Sequence, residues 1–377
     1  MNTELIQTQF SEWITWIQED YPHIVANMRQ CSHHYSPTHL NGMHLEGDIW
    51  THTMMVLQSY VIAGNNDRCV GLTALLHDIG KPVAMFEKHD RKRRIFRGHE
   101  ALSAWMSWSM LQSPRLNLTN EQQRRIFALI ALHGSLYQKW FGEQALTPKQ
   151  VARAFSGFGI PFWQQLMQQI RNDMRGQVTT NSGMKGNLMA LEQPVIDAIV
   201  ALKAQSTPEV LHKTEKLSFI MLIGVPGSGK SSYRTQLPSD AIIFSRDDLL
   251  HTLTNENHYR KAWTKQINEG LSNQIDQQLQ ASFHRAINEQ RAIVIDMTNL
   301  TRKSRAEWLS YLPDSYHKQA LIFIIDDQSI YQRNRSRGHK VLPKNVIKEM
   351  LMKFEHPLFD EFDEIAYIIK QQIYSIT

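Results

Sequence analysis

Cysteine is scarce: Cys31 and Cys69 are the only two among 377 residues. That excludes a disulfide framework and gives no support to a zinc–thiolate site. No apolar run approaches the roughly 18 residues that a membrane-spanning helix needs. The opening MNTELIQTQFSEWITW has neither a basic n-region nor a continuous apolar stretch, so no signal peptide is expected, and a cytoplasmic chain without membrane attachment is. Long repeats and low-complexity tracts are missing too. Acidic residues are somewhat outnumbered, 36 against 41 Lys and Arg, which leaves a net charge of +5. Such a balance suits an anionic partner without requiring one. Histidine, by contrast, is plentiful. There are 17, ten of them before residue 134. The length exceeds one average core, so two domains are expected. Hydrophobic content of 42% and charged content of 20% are those of a globular protein.

The two halves differ in periodicity. Over residues 1–202 the segments LIQTQFSEWITWIQ, TMMVLQSYVIA, CVGLTALLHDIG, HEALSAWMSWSML, EQQRRIFALIALHG and PVIDAIVALKA place apolar residues at helical spacing. A short hairpin around RRIFRG is the one strand-like feature there. Residues 203–216 are polar, contain proline and suit a linker. From residue 217 to 377 short runs rich in Ile and Val (LSFIMLIG, AIIFS, AIVID, ALIFIID, IAYIIK) alternate with longer helical segments. That alternation predicts a parallel sheet with crossover helices. The expected fold is therefore an all-α domain followed by an α/β domain.

In the second half GVPGSGKS, residues 224–231, fits G-x-x-x-x-G-K-[ST] after a predicted strand and before a predicted helix. Gly224, Gly227 and Gly229 let the backbone curl so that N–H groups, those of Ser228 and Ser232 included, face phosphate oxygens. Lys230 is expected to reach the β/γ-phosphates and Ser231 to ligate Mg²⁺. The next strand ends in FSRDD, where Asp247 is placed to take a proton from an acceptor hydroxyl. Capping of the following helix by Asp247 or Asp248 is the structural alternative. Asp296, in VIDMTNL, is a candidate partner of Mg²⁺ or of the P-loop lysine, and Thr298 and Asn299 offer polar contacts. The run YQRNRSRGHK carries Arg333, Arg335 and Arg337 without an acid. It is either a solvated basic face or a lid that stabilises charge on a transferring phosphoryl group. In order and spacing, GVPGSGKS, SRDD, DMTN and QRNRSRG resemble the kinase domain of phage-type polynucleotide kinases, over about residues 217–377. The resemblance implies transfer of the ATP γ-phosphate to a 5′-OH polynucleotide end. Lys230 and Ser231 match the family's Walker residues, Asp247 its general base, and Arg333 and Arg337 its lid arginines. The family's acceptor-binding arginine, three residues past the base, is replaced here by Leu250, so acceptor contacts must differ. Other P-loop small-molecule kinases share the first and last motifs.

In the first half LLHDIGKP sets His77 beside Asp78. Around it lie His52 in EGDIWTHT, His99 in FRGHE, His133 in LIALHG and Asp173 in QQIRNDMRG. Imidazole with carboxylate suits divalent transition metals. Convergence of adjacent residues would require ligands from several helices, as in a bundle. Taken singly each histidine suits a core or capping role, and Gly80 and Pro82 suit a helix end. Lys81 has two readings, a neutraliser of a phosphate oxygen or a charge at a helix C-terminus. Glu46 and Asp48 suit local capping or support of a ligand. The run KHDRKRRIFR, residues 88–97, with six Lys and Arg against Asp90, is either a phosphate-backbone contact or an exposed loop. Trp50, Trp105 and Trp108 suit the core better than base stacking. Across about residues 40–180 the pattern resembles the HD phosphohydrolase superfamily, most strongly in LLHDIGKP and FRGHE. The resemblance implies one metal on His52, His77, Asp78 and Asp173, and a second on Asp78, His99 and His133. Mn, Ni, Co, Fe and Zn are the candidates.

The combination resembles bacterial HD-domain polynucleotide kinases, which heal broken RNA. It implies ATP with Mg²⁺ in one half and two divalent metals in the other. The implied partners are RNA (or DNA) ends, with a separate RNA ligase, since no ligase motif is present. Two other readings are a nucleotidase fused to a nucleoside or sugar kinase, and a non-catalytic nucleotide sensor, against which Lys230, Ser231 and Asp247 argue.

Overall fold

The computed structural model describes residues 3–135, 146–179, 190–205 and 216–376. It divides into two compact units, Met1–Gln205 with Leu351–His356, and Ser206–Met350 with Pro357–Thr377. Most of the expected linker, residues 206–215, lies outside the described residues.

The first unit is helical. Its elements are α1 (Thr3–Asp20), α2 (Pro22–Gln30), α3 (Ile49–Ile62), α4 (Arg68–Leu76), α5 (Lys81–Ala84), a hairpin of β1 (Phe86–Lys88) and β2 (Arg93–Ile95), α6 (His99–Leu111), α7 (Asn120–Leu132), α8 (Pro148–Phe155), α9 (Gly159–Gly176) and α10 (Glu192–Gln205). Local chemistry fixes several starts. Asp48 accepts a hydrogen bond from the Thr51 amide and caps α3, and Thr119 and Thr147 build capping boxes with Gln122 and Gln150. Trp50, Trp105 and Trp108 are buried in the core. Burial of such side chains stabilises the unit by about 1.5–3 kcal/mol each.

Two helices meet closely because of one glycine. A Cβ on Gly176 of α9 would stand 2.5 Å from a Val56 methyl and 2.7 Å from the Val56 amide nitrogen on α3. Glycine thus lets α9 lie against α3, one turn from His52 and three residues from Asp173.

Around HDIGKP the structure differs from the expected helix stop. Gly80 has φ of −82°, so it is not a left-handed cap, and Pro82 lies in the first turn of α5 rather than beyond a terminus. The glycine serves a close approach instead: a Cβ would lie 2.7 Å from the Ser103 amide nitrogen on α6. The basic run at 88–97 forms the hairpin, and within it Arg94 is tied to Glu87 and to the Ser32 carbonyl.

The second unit is α/β. Its elements are β3 (Leu217–Ile223), α11 (Lys230–Tyr233), β4 (Ile242–Phe244), α12 (Arg246–Thr254), α13 (Tyr259–Asn268), α14 (Ser272–Asn288), β5 (Ile293–Asp296), α15 (Arg302–Leu309), β6 (Tyr316–Phe323), α16 (Asp327–Arg335), α17 (Lys344–Met352), β7 (Glu364–Ile369) and β8 (Gln372–Ser375). The sheet order is β4-β5-β3-β6-β7-β8, parallel except for the last pair. β3 lies between β5 and β6, with Leu222 beside Asp296 on one side and Leu321 on the other. Ile220, Leu222, Val294, Leu321, Phe323, Ala366 and Ile368 form one packed face. Continuous apolar strands of this kind are what a sheet covered on both faces requires. The carboxyl ends of β3, β4, β5 and β6 therefore share one edge, where ligands bind in such sheets. The helix after the P-loop is short: α11 is one turn, followed by a 3₁₀ turn at Arg234–Gln236. Its dipole is correspondingly small.

Candidate functional site

At the sheet edge, Gly227 and Gly229 take φ of +88° and +110°, a region that favours glycine, and turn the loop inward. Lys230 is buried and its Nζ donates to the carbonyls of Gly224 and Val225, 3.2 Å from the latter. Burial lowers its pKa to about 8, against the opposing pull of Asp296. Ser228 Oγ is buried without a hydrogen-bond partner among the described residues, in a polar cradle suited to an anion. Ser231 and Ser232 are exposed in the turn that follows. Arg333 of α16 comes to the same loop: a Cβ on Gly229 would meet its Nη1 at 3.5 Å.

Asp296 ends β5, with Arg234 Nε 2.9 Å from Oδ2. Burial raises its pKa, while Lys230 and Arg234 pull it down. Thr298 and Asn299 turn out to brace the loop. The Gly224 amide donates to the Thr298 carbonyl at 3.1 Å, and Asn299 Nδ2 donates to the Leu222 carbonyl at 2.8 Å. Buried Arg305 holds Glu361 through Nε and Nη2 and also donates to the Asn299 and Leu300 carbonyls. The cap of α12 is Ser245, whose side chain accepts from the Asp248 amide. That removes the capping alternative for Asp247 and Asp248. Asp247 is partly open, with Lys340 Nζ 3.2 Å from Oδ2, and Arg337 is close enough to feel its charge. Leu250 is buried in the core.

In the helical unit four imidazoles converge on two carboxylates. His52 comes from α3, His77 and Asp78 from the turn after α4, His99 from the start of α6, His133 from the end of α7 and Asp173 from α9. His52 Nε2 lies 3.0 Å from Asp173 Oδ1 and 3.7 Å from Asp78 Oδ2. His77 Nε2 lies 3.3 Å from Asp78 Oδ2 and 3.9 Å from Asp173 Oδ1. On the other side of Asp78, His99 Nε2 and His133 Nε2 stand 3.3 and 4.0 Å from Oδ1. The structure thus brings all six sequence-predicted residues together, Asp173 included.

Each ring is held by its other nitrogen. Nδ1 donates to a backbone carbonyl in His77 (Ala74, 2.9 Å), His99 (Phe96, 2.7 Å) and His133 (Ile130, 2.7 Å). In His52 it faces Glu46 Oε1 at 2.8 Å. In His77, His99 and His133 this fixes the tautomer that leaves Nε2 as the lone-pair donor, as in metal-binding histidines, whereas His52 faces a carboxylate through each nitrogen. His77 Nε2 and Asp78 Oδ1 are buried without a well-directed hydrogen bond among the described residues, while Asp78 Oδ2 meets the Lys81 ammonium. Such groups are costly unless something pairs with them. His52–His77–Asp78 and Asp78–His99–His133 each have donor atoms within 4.8 Å of one another. The donor set fits two divalent ions sharing Asp78.

The electrostatics follow. Burial opposes ionisation of Asp78, but His77 and Lys81 outweigh it and hold its carboxyl well below the ordinary range. Burial also opposes the charge on His52, yet hydrogen bonds to Asp173 and Glu46 raise its pKa to about 9. His133 goes the other way, to about 4, through burial and its neighbours His77 and His99. Lys81 is buried, with Nζ 2.7 Å from Asp78 Oδ2 and 3.2 Å from His33 Nε2. It is part of the centre, not a solvated charge at a helix end.

Glu46, expected to cap locally or to support a ligand, touches His52, and other site residues are visible only in three dimensions. Glu46 serves His52 and also His44, at 2.8 Å each, and its Oε2 accepts from the Val178 amide. His33 donates through Nδ1 to the Gly47 carbonyl, stacks on His44 at 4.0 Å and meets Lys81. The histidine-rich HHYSPTHLNGMHLE was the available signal, but nothing in it ranks one histidine over another. In the second unit Lys340 was missed as the neighbour of Asp247, and Arg234 as the link between Asp248 and Asp296.

A family model described as an AAA domain matches residues 219–357, less than half of the chain. The match takes in the P-loop, the aspartates after β4, Asp296 and the arginine helix. No curated protein matches the chain. The second unit is a P-loop, kinase-like α/β unit, a type that uses ATP with Mg²⁺.

Proposed function

We propose that the chain is a bifunctional nucleic-acid end-healing enzyme. The second unit phosphorylates a 5′-OH polynucleotide end with ATP. The first, an HD-type phosphohydrolase, opens a 2′,3′-cyclic phosphate and removes phosphate from the other end. The observation that carries the reading is the convergence of four Nε2 atoms on Asp78 and Asp173 in a chain that also holds a P-loop.

In the kinase half, Asp247 accepts the proton of the attacking hydroxyl at the rim of the loop. Lys230 and the loop amides hold the β/γ-phosphates, while Arg333 and Arg337 offset charge on the group in transfer. Ser231 and Asp296 are the residues that would hold Mg²⁺. In the hydrolase half His52, His77, Asp78 and Asp173 would hold one divalent ion, and Asp78, His99 and His133 the other. Bound there, the pair supplies Lewis acidity to a phosphoester and acidifies water. Glu46 and the three backbone carbonyls keep the imidazoles aimed, and Lys81 is at hand for a phosphate oxygen.

Burial of Leu250 favours a second reading, a kinase for an acceptor without a phosphate, such as a nucleoside or sugar. Labelled ATP offered with 5′-OH oligonucleotides in competition with nucleosides separates the two. We expect label on the oligonucleotide; label on nucleosides alone contradicts the end-healing reading.

A further inference from the structure

Among the described tryptophans Trp263 is the exposed one, with 43% of its surface open. It sits on α13 one turn after Tyr259, and the two rings are near-parallel, 25° apart with centroids 6.3 Å apart. Tyr259 connects this face to the reaction centre. Lys340 makes the link: its Nζ lies 4.9 Å from the centre of the Tyr259 ring and 3.2 Å from Asp247 Oδ2. Ala262 and Gln266 face inward, so the helix cannot turn the indole into the core. Arg260 and Lys261 are exposed on the same helix, and Ile267 extends the apolar stripe.

Aromatic faces flanked by cations suit single-stranded nucleic acid, whose bases stack while the backbone follows the charge. The spacing matters as well. The four-residue step from Tyr259 to Trp263 rises about 6 Å along the axis, on the order of one nucleotide's backbone span. A nucleoside at Asp247 would reach Tyr259 alone, and only a longer strand would reach Trp263.

We propose that Tyr259 and Trp263 form a stacking platform for the first bases of a single-stranded polynucleotide acceptor whose 5′-OH lies at Asp247. The platform supplies acceptor contacts that Leu250 does not. The inference rests on the polynucleotide-kinase reading of the second unit.

The test uses the full chain, ATP and a single-stranded 5′-OH oligonucleotide, alone or with tetrahydrofuran abasic units at its first two positions. Loss of one stacked base corresponds to about 5- to 150-fold in binding. Trp263→Ala is expected to raise the oligonucleotide KM within that range. Trp263→Phe should recover most of the loss, and the KM for ATP should move by less than about twofold. On the abasic acceptor wild type and Trp263→Ala should be alike. Equal KM values on the base-bearing acceptor, with wild type active, overturn the platform and leave the kinase reading intact. Failure of wild type to phosphorylate any 5′-OH oligonucleotide overturns both.

Discussion

Asp78 stands between two sets of imidazoles, with His52 and His77 toward Oδ2 and His99 and His133 toward Oδ1. On the proposed reading, removing its carboxylate takes a shared ligand from both sets and leaves the P-loop residues unaltered. Asp78→Ala is therefore expected to lose most bound divalent metal, measured by elemental analysis, and to abolish cyclic-phosphate hydrolysis while kinase activity persists. Wild-type metal content in the variant would contradict the assignment. Lys230 gives a pH prediction. Burial lowers its pKa to about 8, so the ammonium that meets phosphate is present below that pH and lost as pH rises through it. The kcat/KM for ATP, which reports the free enzyme, should fall on the alkaline side with a midpoint near 8. A profile flat well beyond that point would show that Lys230 keeps its charge.

At the scale of elements, close contacts aim the ligands. Gly176 lets α9 touch α3 at Val56, which sets Asp173 3.0 Å from His52. Gly176→Val is expected to push the helices apart, destabilise the unit by about 1–3 kcal/mol and weaken metal binding about 10- to 100-fold, an effect typical of disturbed ligand support. Thermal melts and metal titration check both; unaltered metal affinity would mean that the α3–α9 contact does not position the site. Much of this architecture was legible in the sequence, because amphipathic periodicity and Ile/Val-rich runs report which faces are buried. The P-loop was legible because its glycine spacing is local chemistry. Gly80 was misread because its reason, the Ser103 amide, lies on another helix. The pairs His33–Lys81 and Lys340–Asp247 escaped for a related reason, as did the identity of the histidine that Glu46 supports. Spacing identifies residues that act within one element, whereas these partners meet only through packing. The single turn of α11 was hidden because a P-loop motif marks where a helix starts but not how far it runs.

For the molecule as a whole, the proposed function gives each unit its own phosphate chemistry: hydrolysis at the histidine–aspartate centre, and phosphoryl transfer at the P-loop. Strand breaks that leave a 5′-OH and a 2′,3′-cyclic phosphate present work for both. The most direct measurement is to incubate the full chain with an RNA carrying those two ends, ATP, Mg²⁺ and a panel of transition metals, then read both ends by mass. The expected product has gained a 5′-phosphate and lost its cyclic phosphate, the second change requiring a transition metal. Unaltered RNA ends, with phosphate passing from ATP to nucleosides or sugars instead, would contradict the end-healing function.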